Sequence, residues 1–101
     1  MKYAAVIEYD VNDPKVPEVR PAHRKYLAEL MERGKLSISG PFPDGGALIV
    51  YNTASQEEAE KMLLEDPFTV KGVFKKWTLH KWKPIFISKD LPADVATLAA
   101  S

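Results

Sequence analysis

The apolar and polar positions in the first third of the chain predict a strand followed by a helix. Residues 2–9 are rich in β-branched and aromatic side chains and end at a turn-rich segment, which is typical of a strand. From Pro21 to Gly34 the apolar residues recur at helical spacing, and proline suits the first helical position because no backbone donor is needed there. Residues 16–20 are then expected to form a lead-in outside the helix.

The middle of the chain predicts two short strands joined by a hairpin. Residues 35–40 and 47–52 carry the apolar pattern of strands. Between them, residues 41–46 contain two prolines and an Asp-Gly-Gly triplet. This composition predicts a hairpin connection that is longer than a two-residue turn.

A second helix is indicated by its start and stop signals. Ser55 and Glu58 have the spacing of a capping box, which opens the helix. The helix is expected to end at Asp66, because Pro67 disfavours helical geometry in the residue before it. Residues 67–72 have room for one further turn.

The whole pattern predicts an α+β fold. Residues 73–83 read as a final strand, and residues 84–101 form a tail with a short helix expected after Pro92. The order βαββαβ defines a ferredoxin-like fold, in which a four-stranded antiparallel sheet carries two helices on one face. The central strands are apolar on both faces, at residues 3–7 and 47–51. Because two helices cover one face only, we expect a second copy to pack on the other and form a homodimer. The alternative is that the tail folds over this face.

Composition and charge exclude several classes of function. The 101 residues suffice for a single core, and 14 Lys and Arg balance 14 Asp and Glu, which argues against nucleic acid or a membrane surface as a partner. The chain has no cysteine, so it has no disulfide, thiolate nucleophile or cysteine-based zinc site. The sequence carries no signal-peptide pattern and no apolar run long enough to span a membrane. A soluble, cytoplasmic protein is expected.

Two polar residues fall on apolar helix faces. His23 lies near the middle of the apolar stripe of the first helix, and Asp66 continues the inward face of the second. An inward carboxylate is costly unless it is paired. The topology brings the start of the first helix and the end of the second helix to the same end of the sheet as the hairpin. His23, expected in the first helical turn, and Asp66 should therefore meet there.

The pairing of His23 with Asp66 suits acid–base chemistry. A carboxylate that accepts a proton from one ring nitrogen fixes the tautomer and leaves the other nitrogen free to remove a proton from a substrate. A buried structural histidine and a helix-terminating Asp-Pro turn are the alternatives. The two residues could also be weak metal ligands, but two histidines and no cysteine make a tight metal site improbable.

Three further residues are expected near this pair. Arg20 precedes His23 by three positions and suits bidentate binding of a substrate carboxylate or phenolate. Ser39 and Gly40 end the second strand at the same rim, where Ser39 has a hydroxyl donor. An ordinary solvated arginine and a plain strand serine are the alternatives.

The sequence resembles the YciI-like (YCII-related domain) proteins. The similarity is carried, in order, by RPAHRKYLAEL, SGPFPDGGALIVYN and SQEEAEKMLLEDPFTVKG. It covers residues 1–86 and leaves residues 87–101 as a C-terminal tail. The resemblance implies a ferredoxin-like fold, dimerisation through the sheet as in dimeric α/β barrels, and an active site on a His-Asp pair. The matching positions of this chain are His23 and Asp66, with Arg20, Ser39 and Gly40 nearby.

The leading hypothesis is a small enzyme of the lyase or isomerase type that needs no cofactor and no metal. His23, oriented by Asp66, would act as general base on a small cyclic or aromatic compound. The resemblance includes a dehydrochlorinase of a chlorinated hydroxyhydroquinone and a fold shared with muconolactone isomerase. A non-catalytic small-molecule-binding or regulatory module is the first alternative, and a cofactor-free monooxygenase is the second.

Overall fold

The predicted ferredoxin-like topology is confirmed by the computed structural model, which describes residues 1–91. The four strands form one antiparallel sheet in the order β2-β3-β1-β4, so β1 and β3 are central as expected. The short helix expected after Pro92 lies outside the described residues. The elements are β1 (Lys2–Glu8), α1 (Lys15–Glu32), β2 (Leu36–Pro41), β3 (Ala47–Asn52), α2 (Gln56–Glu65), α3 (Pro67–Val70) and β4 (Lys76–Trp82).

The core lies between the helices and one face of the sheet. Alternate residues of β1 point toward the helices, and Tyr3, Ala5 and Ile7 are all buried. Their partners in β3 include Tyr51 opposite Tyr3 and Ile49 opposite Ala5, which are buried in the same layer. The strands are apolar on both faces, so their β-branched and aromatic composition, and not this alternation, makes them recognisable in the sequence.

The first helix begins at Lys15, six residues before the predicted start at Pro21. Val16 and Val19 are buried and extend the apolar stripe, so residues 16–20 belong to the helix and not to a lead-in. Pro21 lies inside the helix, where it removes one backbone donor on an exposed side. The tertiary packing of α1 against α3 and β2 outweighs this loss. His23 is therefore eight residues into the helix, and the expectation of a first-turn position is wrong.

The second helix follows its sequence signals closely. The Ser55 hydroxyl accepts a hydrogen bond from the Glu58 backbone N–H at 3.2 Å, and the Glu58 carboxylate accepts one from the Ala54 N–H at 3.1 Å. The helix ends at Glu65, with Asp66 as its C-cap. The expected further turn is α3, which starts at Pro67.

The final strand is shorter than the 73–83 that the pattern predicts. Val73 and Phe74 are apolar and buried, but they belong to the connection after α3. Both of their backbone N–H groups donate to the Phe68 carbonyl, at 2.8 and 2.9 Å. This closed turn inserts the two side chains into the core beside α3, and the strand starts only at Lys76.

The hairpin between β2 and β3 needs glycine at one position for a steric reason. Gly46 has a φ of +96°, and a Cβ there would lie 2.2 Å from the carbonyl oxygen of Ile7. The hairpin is closed by a hydrogen bond from the Phe42 N–H to the Gly46 carbonyl at 2.9 Å. The loop is thereby held against β1, at the end of the sheet where the rim was expected.

The face of the sheet opposite the helices is only partly covered within the chain. Val50 is fully buried there, and it lines a groove together with Phe86 and Leu91 from the segment after β4. Val6 and Trp82, on the same face, are 40% and 46% exposed. The tail residues that the structure describes line this groove and leave Val6 and Trp82 exposed, so coverage of the face by the tail or by a second copy stays a prediction. Within residues 1–91, no helix combines the length and apolarity that crossing a membrane requires.

Candidate active site

His23 and Asp66 are in direct contact, although they are 43 residues apart in sequence. The imidazole Nδ1 lies 2.7 Å from Oδ1 and 3.0 Å from Oδ2 of the carboxylate. The Asp66 side chain is completely buried, and that of His23 is 13% exposed. The predicted meeting of these two residues is confirmed, with the carboxylate inside the protein and the imidazole between it and the surface.

The junction of α2 and α3 positions the Asp66 carboxylate. A ψ of 132° at Asp66 breaks the helical path, and Pro67 occupies the first turn of α3. Oδ1 accepts the Phe68 backbone N–H at 2.9 Å, so the side chain caps α3. The Asp66 carbonyl accepts the N–H groups of Thr69 and Val70, at 2.8 and 2.9 Å. The Asp-Pro-Phe segment therefore holds the carboxylate through backbone as well as side-chain contacts.

These contacts identify the tautomer of His23. Oδ1 of Asp66 already receives a backbone N–H, and both carboxylate oxygens face Nδ1. An ionised carboxylate only accepts hydrogen bonds, so Nδ1 carries the proton and donates. In the neutral imidazole the lone pair is then on Nε2. The pair thus has the donor–acceptor arrangement that a general base requires.

Aromatic side chains enclose the imidazole. The ring of Phe68 stacks on His23, with centroids 4.1 Å apart and planes inclined by 22°. The ring of Phe74 meets His23 edge-on at 5.7 Å and 80°, and Tyr9 lies 5.5 Å from Phe74. These rings restrict the imidazole to one orientation and provide a flat apolar wall beside it.

A cavity of about 470 Å³ opens beside His23. The expected residues Arg20, Ser39 and Gly40 all line it, whereas Asp66 lies behind the imidazole and does not. A volume of this size is within the range of small-molecule sites. The other lining residues come from six parts of the fold and are Tyr9, Arg24, Leu27, Pro41, Ala47, Ile49, Phe68 and Phe74.

Several of these lining residues carry a weak sequence signal or none. Arg24 adjoins His23 and follows Arg20 by four positions, so helical spacing could have indicated it. Phe68 follows Asp66 by two positions, within reach of a turn. Tyr9 and Phe74 reach the cavity only because the end of β1 and the loop after α3 converge there.

Two tyrosines lie near the buried carboxylate. Burial, followed by the negative charges of Glu65 and Asp66, raises the pKa of Tyr26 to about 12. Burial, followed by the charge of Asp66, raises the pKa of Tyr51 as well. The Tyr26 hydroxyl donates to the Met62 carbonyl at 2.8 Å, whereas the buried Tyr51 hydroxyl has no partner among the described residues. Both phenols therefore stay neutral at physiological pH.

The described part of the chain has no cluster of metal-ligating side chains. No three His, Cys, Asp or Glu side chains lie together within residues 1–91 in a way that could hold an ion. Nδ1 of His23 is engaged by Asp66, so the two residues face each other and do not converge on a common point.

The comparisons with known proteins agree with the fold. The family model of the YCII-related domain matches residues 1–83, and the protein belongs to the YCII-related domain family. Among solved structures, it is similar to 5-chloro-2-hydroxyhydroquinone dehydrochlorinase (TftG) from Burkholderia phenoliruptrix AC1100, in a complex with 2,5-dihydroxybenzoquinone. The TM-score is 0.71 at 22% identity, over 82% of this chain and 94% of that chain, which shows a shared fold. No curated protein matches the sequence.

Proposed function

We propose that the protein is a cofactor-free lyase or isomerase that uses His23 as a general base. The observation that carries the proposal is the hydrogen bond from His23 Nδ1 to the completely buried carboxylate of Asp66, beside an open cavity. This bond leaves Nε2 as the basic nitrogen, and Nε2 has no hydrogen-bond partner among residues 1–91. The dehydrochlorinase activity named for the structural neighbour is consistent with such a base.

The proposed reaction starts with proton transfer from a small cyclic or aromatic compound. The Nε2 lone pair takes a proton from an acidic C–H or O–H group, and the electron pair moves into the ring system as an enolate or phenolate. Arg20 stabilises this anion, and Asp66 stabilises the imidazolium that forms. In a lyase the anion expels a leaving group such as chloride. In an isomerase the imidazolium returns the proton to another carbon.

The aromatic side chains that line the cavity favour a planar substrate. Phe68, Phe74 and Tyr9 provide flat apolar surface on the same side of the cavity as the imidazole. Ser39 and Gly40 of β2 also line the cavity, and the Ser39 hydroxyl is available to donate to a substrate oxygen. A flat ring held between these parts has its edge near Nε2, which is the arrangement that proton abstraction needs.

The test uses a carbon acid that reports any well-placed base. Deprotonation of 5-nitrobenzisoxazole breaks its N–O bond and releases a coloured phenolate, so the rate is followed by absorbance. We expect the wild-type protein to accelerate this elimination and His23→Ala to lose about 100-fold or more of the acceleration. His80→Ala is the matched control, because His80 is exposed and bonds only to Thr78 among the described residues. Equal rates for wild type and His23→Ala would refute the base assignment.

A second assay measures chloride release from 5-chloro-2-hydroxyhydroquinone, which tests whether the proposed activity extends to dehydrochlorination. The alternative function is a small-molecule-binding or regulatory module, because the same cavity can hold a ligand without chemistry. This alternative predicts that 5-nitrobenzisoxazole and 5-chloro-2-hydroxyhydroquinone bind in the cavity, while the wild-type protein accelerates neither the elimination nor the release of chloride.

We also propose that two copies associate through the open sheet face. Ile85, Phe86 and Ile87 are 70%, 95% and 76% exposed, and the last two line a groove together with Trp82 of the open face. An apolar sheet and an apolar tail on the same chain are self-complementary, as a two-fold dimer requires.

Two further expectations from the sequence stay predictions. One is the division of the chain into a domain of residues 1–86 and a tail of residues 87–101, and the other is a cytoplasmic location.

Light scattering at several protein concentrations tests the dimer. We expect twice the mass of one chain for the wild type and a shift toward one chain for Phe86→Asp. Val70→Asp is the control, because Val70 is 66% exposed on α3, on the helical side. A wild-type mass of one chain at all concentrations would contradict this proposal.

A further inference from the structure

Two arginines flank His23 on the side of α1 that faces the cavity. Arg20 precedes His23 by three residues and Arg24 follows it by one, and all three line the cavity. The arginines are thus four residues apart, the spacing at which helix side chains are neighbours. Like charges at this spacing repel each other, so an anion between them would be stabilised by both.

The surroundings of the two arginines do not neutralise them. Of the described residues that line the cavity, none is Asp or Glu. The nearby carboxylate of Asp66 is completely buried behind His23 and is engaged there. Within residues 1–91, the four ion pairs include neither Arg20 nor Arg24. The chain as a whole has no net charge, so this cavity concentrates positive charge that is balanced elsewhere.

We propose that Arg20 and Arg24 together form an anion subsite, and that the ligand is a single-ring aromatic or quinonoid compound that carries a carboxylate. A carboxylate is already charged at neutral pH, and guanidinium groups bind it in a bidentate fashion. The ring then lies against Phe68 and Phe74, with its edge toward His23. The orientation of the ring toward His23 rests on the proposed function. The binding of the carboxylate by the two arginines does not depend on it.

The two arginines have different roles in this proposal. Arg20 stabilises the anion that forms in the proposed reaction and also contributes charge to the subsite. Arg24 adds a second guanidinium that a substrate with a single phenolate does not need. A preference for carboxylates should therefore depend on Arg24, and this makes Arg24 a specificity-determining residue of the site.

The test compares benzoate with benzamide, which have the same shape and differ in charge. Binding is measured by isothermal titration calorimetry and by chemical-shift changes of the His23 ring. We expect benzoate to bind the wild-type protein about tenfold more tightly, as a charged hydrogen-bonded contact implies. Arg24→Gln should bring the two affinities to within about twofold, and higher salt should weaken benzoate binding selectively.

Lys25→Gln is the matched control. Lys25 is the next residue of α1, is exposed and carries the same charge, but it does not line the cavity. It should keep the tenfold preference, which excludes an effect of net charge alone. Equal binding of benzoate and benzamide by the wild type, or an unchanged preference in Arg24→Gln, would overturn the inference.

The two proposals fail separately. If benzoate is preferred through Arg24 but His23→Ala does not slow the elimination of 5-nitrobenzisoxazole, the anion subsite stands and the general base does not. If the elimination depends on His23 but benzoate and benzamide bind equally, the general base stands and the carboxylate subsite does not.

Discussion

The contact between His23 and Asp66 should contribute measurably to stability, and a double-mutant cycle can isolate it. His23→Phe keeps an aromatic ring against Phe68 but removes the Nδ1 donor. Asp66→Asn keeps an oxygen for the Phe68 N–H but replaces the second oxygen, 3.0 Å from Nδ1, with a donor. His23→Phe leaves the buried carboxylate without its donor, Asp66→Asn keeps the 2.7 Å contact but removes the charge and the second acceptor, and the double variant removes the pair.

The expected coupling energy follows from the geometry of the pair. The acceptor is completely buried and the donor distance is 2.7 Å, so a hydrogen bond to a charged group is expected, worth about 1.5–3 kcal/mol. His23→Phe alone should cost more, about 3–5 kcal/mol, because it leaves the Asp66 charge buried without its partner. These costs are large fractions of the free energy of unfolding of a small domain, about 5–15 kcal/mol.

Urea unfolding followed by tryptophan fluorescence measures the cycle, at a fixed protein concentration. The control is a second cycle on Lys35 and Glu58, whose 2.9 Å ion pair has side chains that are 33% and 31% exposed. A surface pair of this kind should show a much smaller coupling energy than the buried pair, because solvent screens its charges. If the coupling of His23 with Asp66 is no larger than that of the surface pair, the argument from burial is wrong.

Three further predictions concern the core, the hairpin and the response to high pH. Leu63→Ala should lower the free energy of unfolding in urea by about 2–5 kcal/mol, because Leu63 is completely buried. Leu64→Ala, at a site 48% exposed, should stay within about 0.5 kcal/mol, and equal losses would mean that α2 buries a different face. Gly34→Ala should cost only the strain of left-handed backbone, about 1–2 kcal/mol, since its Cβ would meet nothing within 4 Å. Gly46→Ala should cost more than twice as much because of its backbone clash, and thermal melts giving similar losses would contradict this. The pKa of Tyr26 is raised to about 12 in the folded state, so the unfolded chain loses this proton first, and stability should fall as the pH rises from about 10 toward 12. Stability is followed as the midpoint of urea unfolding at each pH, and Tyr26→Phe should reduce its fall. An unchanged dependence of the midpoint on pH would argue against burial of the phenol.

Much of the fold could be predicted because its signals are local. The β-branched and aromatic composition of β1 and β3, the capping box at Ser55 and the stop at Pro67 depend only on neighbouring residues. The pairing of His23 with Asp66 also follows, because the topology limits where two helix positions can lie. An inward carboxylate needs a partner, and few polar residues are available on that side of the sheet.

The predictions that failed concern segments whose local signal conflicts with their packing. Pro21 marks a helix start by its missing donor, yet burial of Val16 and Val19 extends α1 back to Lys15. Residues 73–83 have continuous strand character, yet the Phe68 carbonyl holds the first of them in a turn. In both places, contacts between distant elements contribute more free energy than the local preference does.

By itself the sequence determined the order of the elements, the sheet topology and the inward pair of His23 and Asp66, because periodicity, caps and connectivity act over short distances. The tertiary structure alone decided which side chains surround that pair. Phe68, Phe74 and Arg24 reach one cavity because α1, α3 and the loops at one end of the sheet converge there. A cavity is made of surfaces from separate elements, and no pattern within one element records how those surfaces meet.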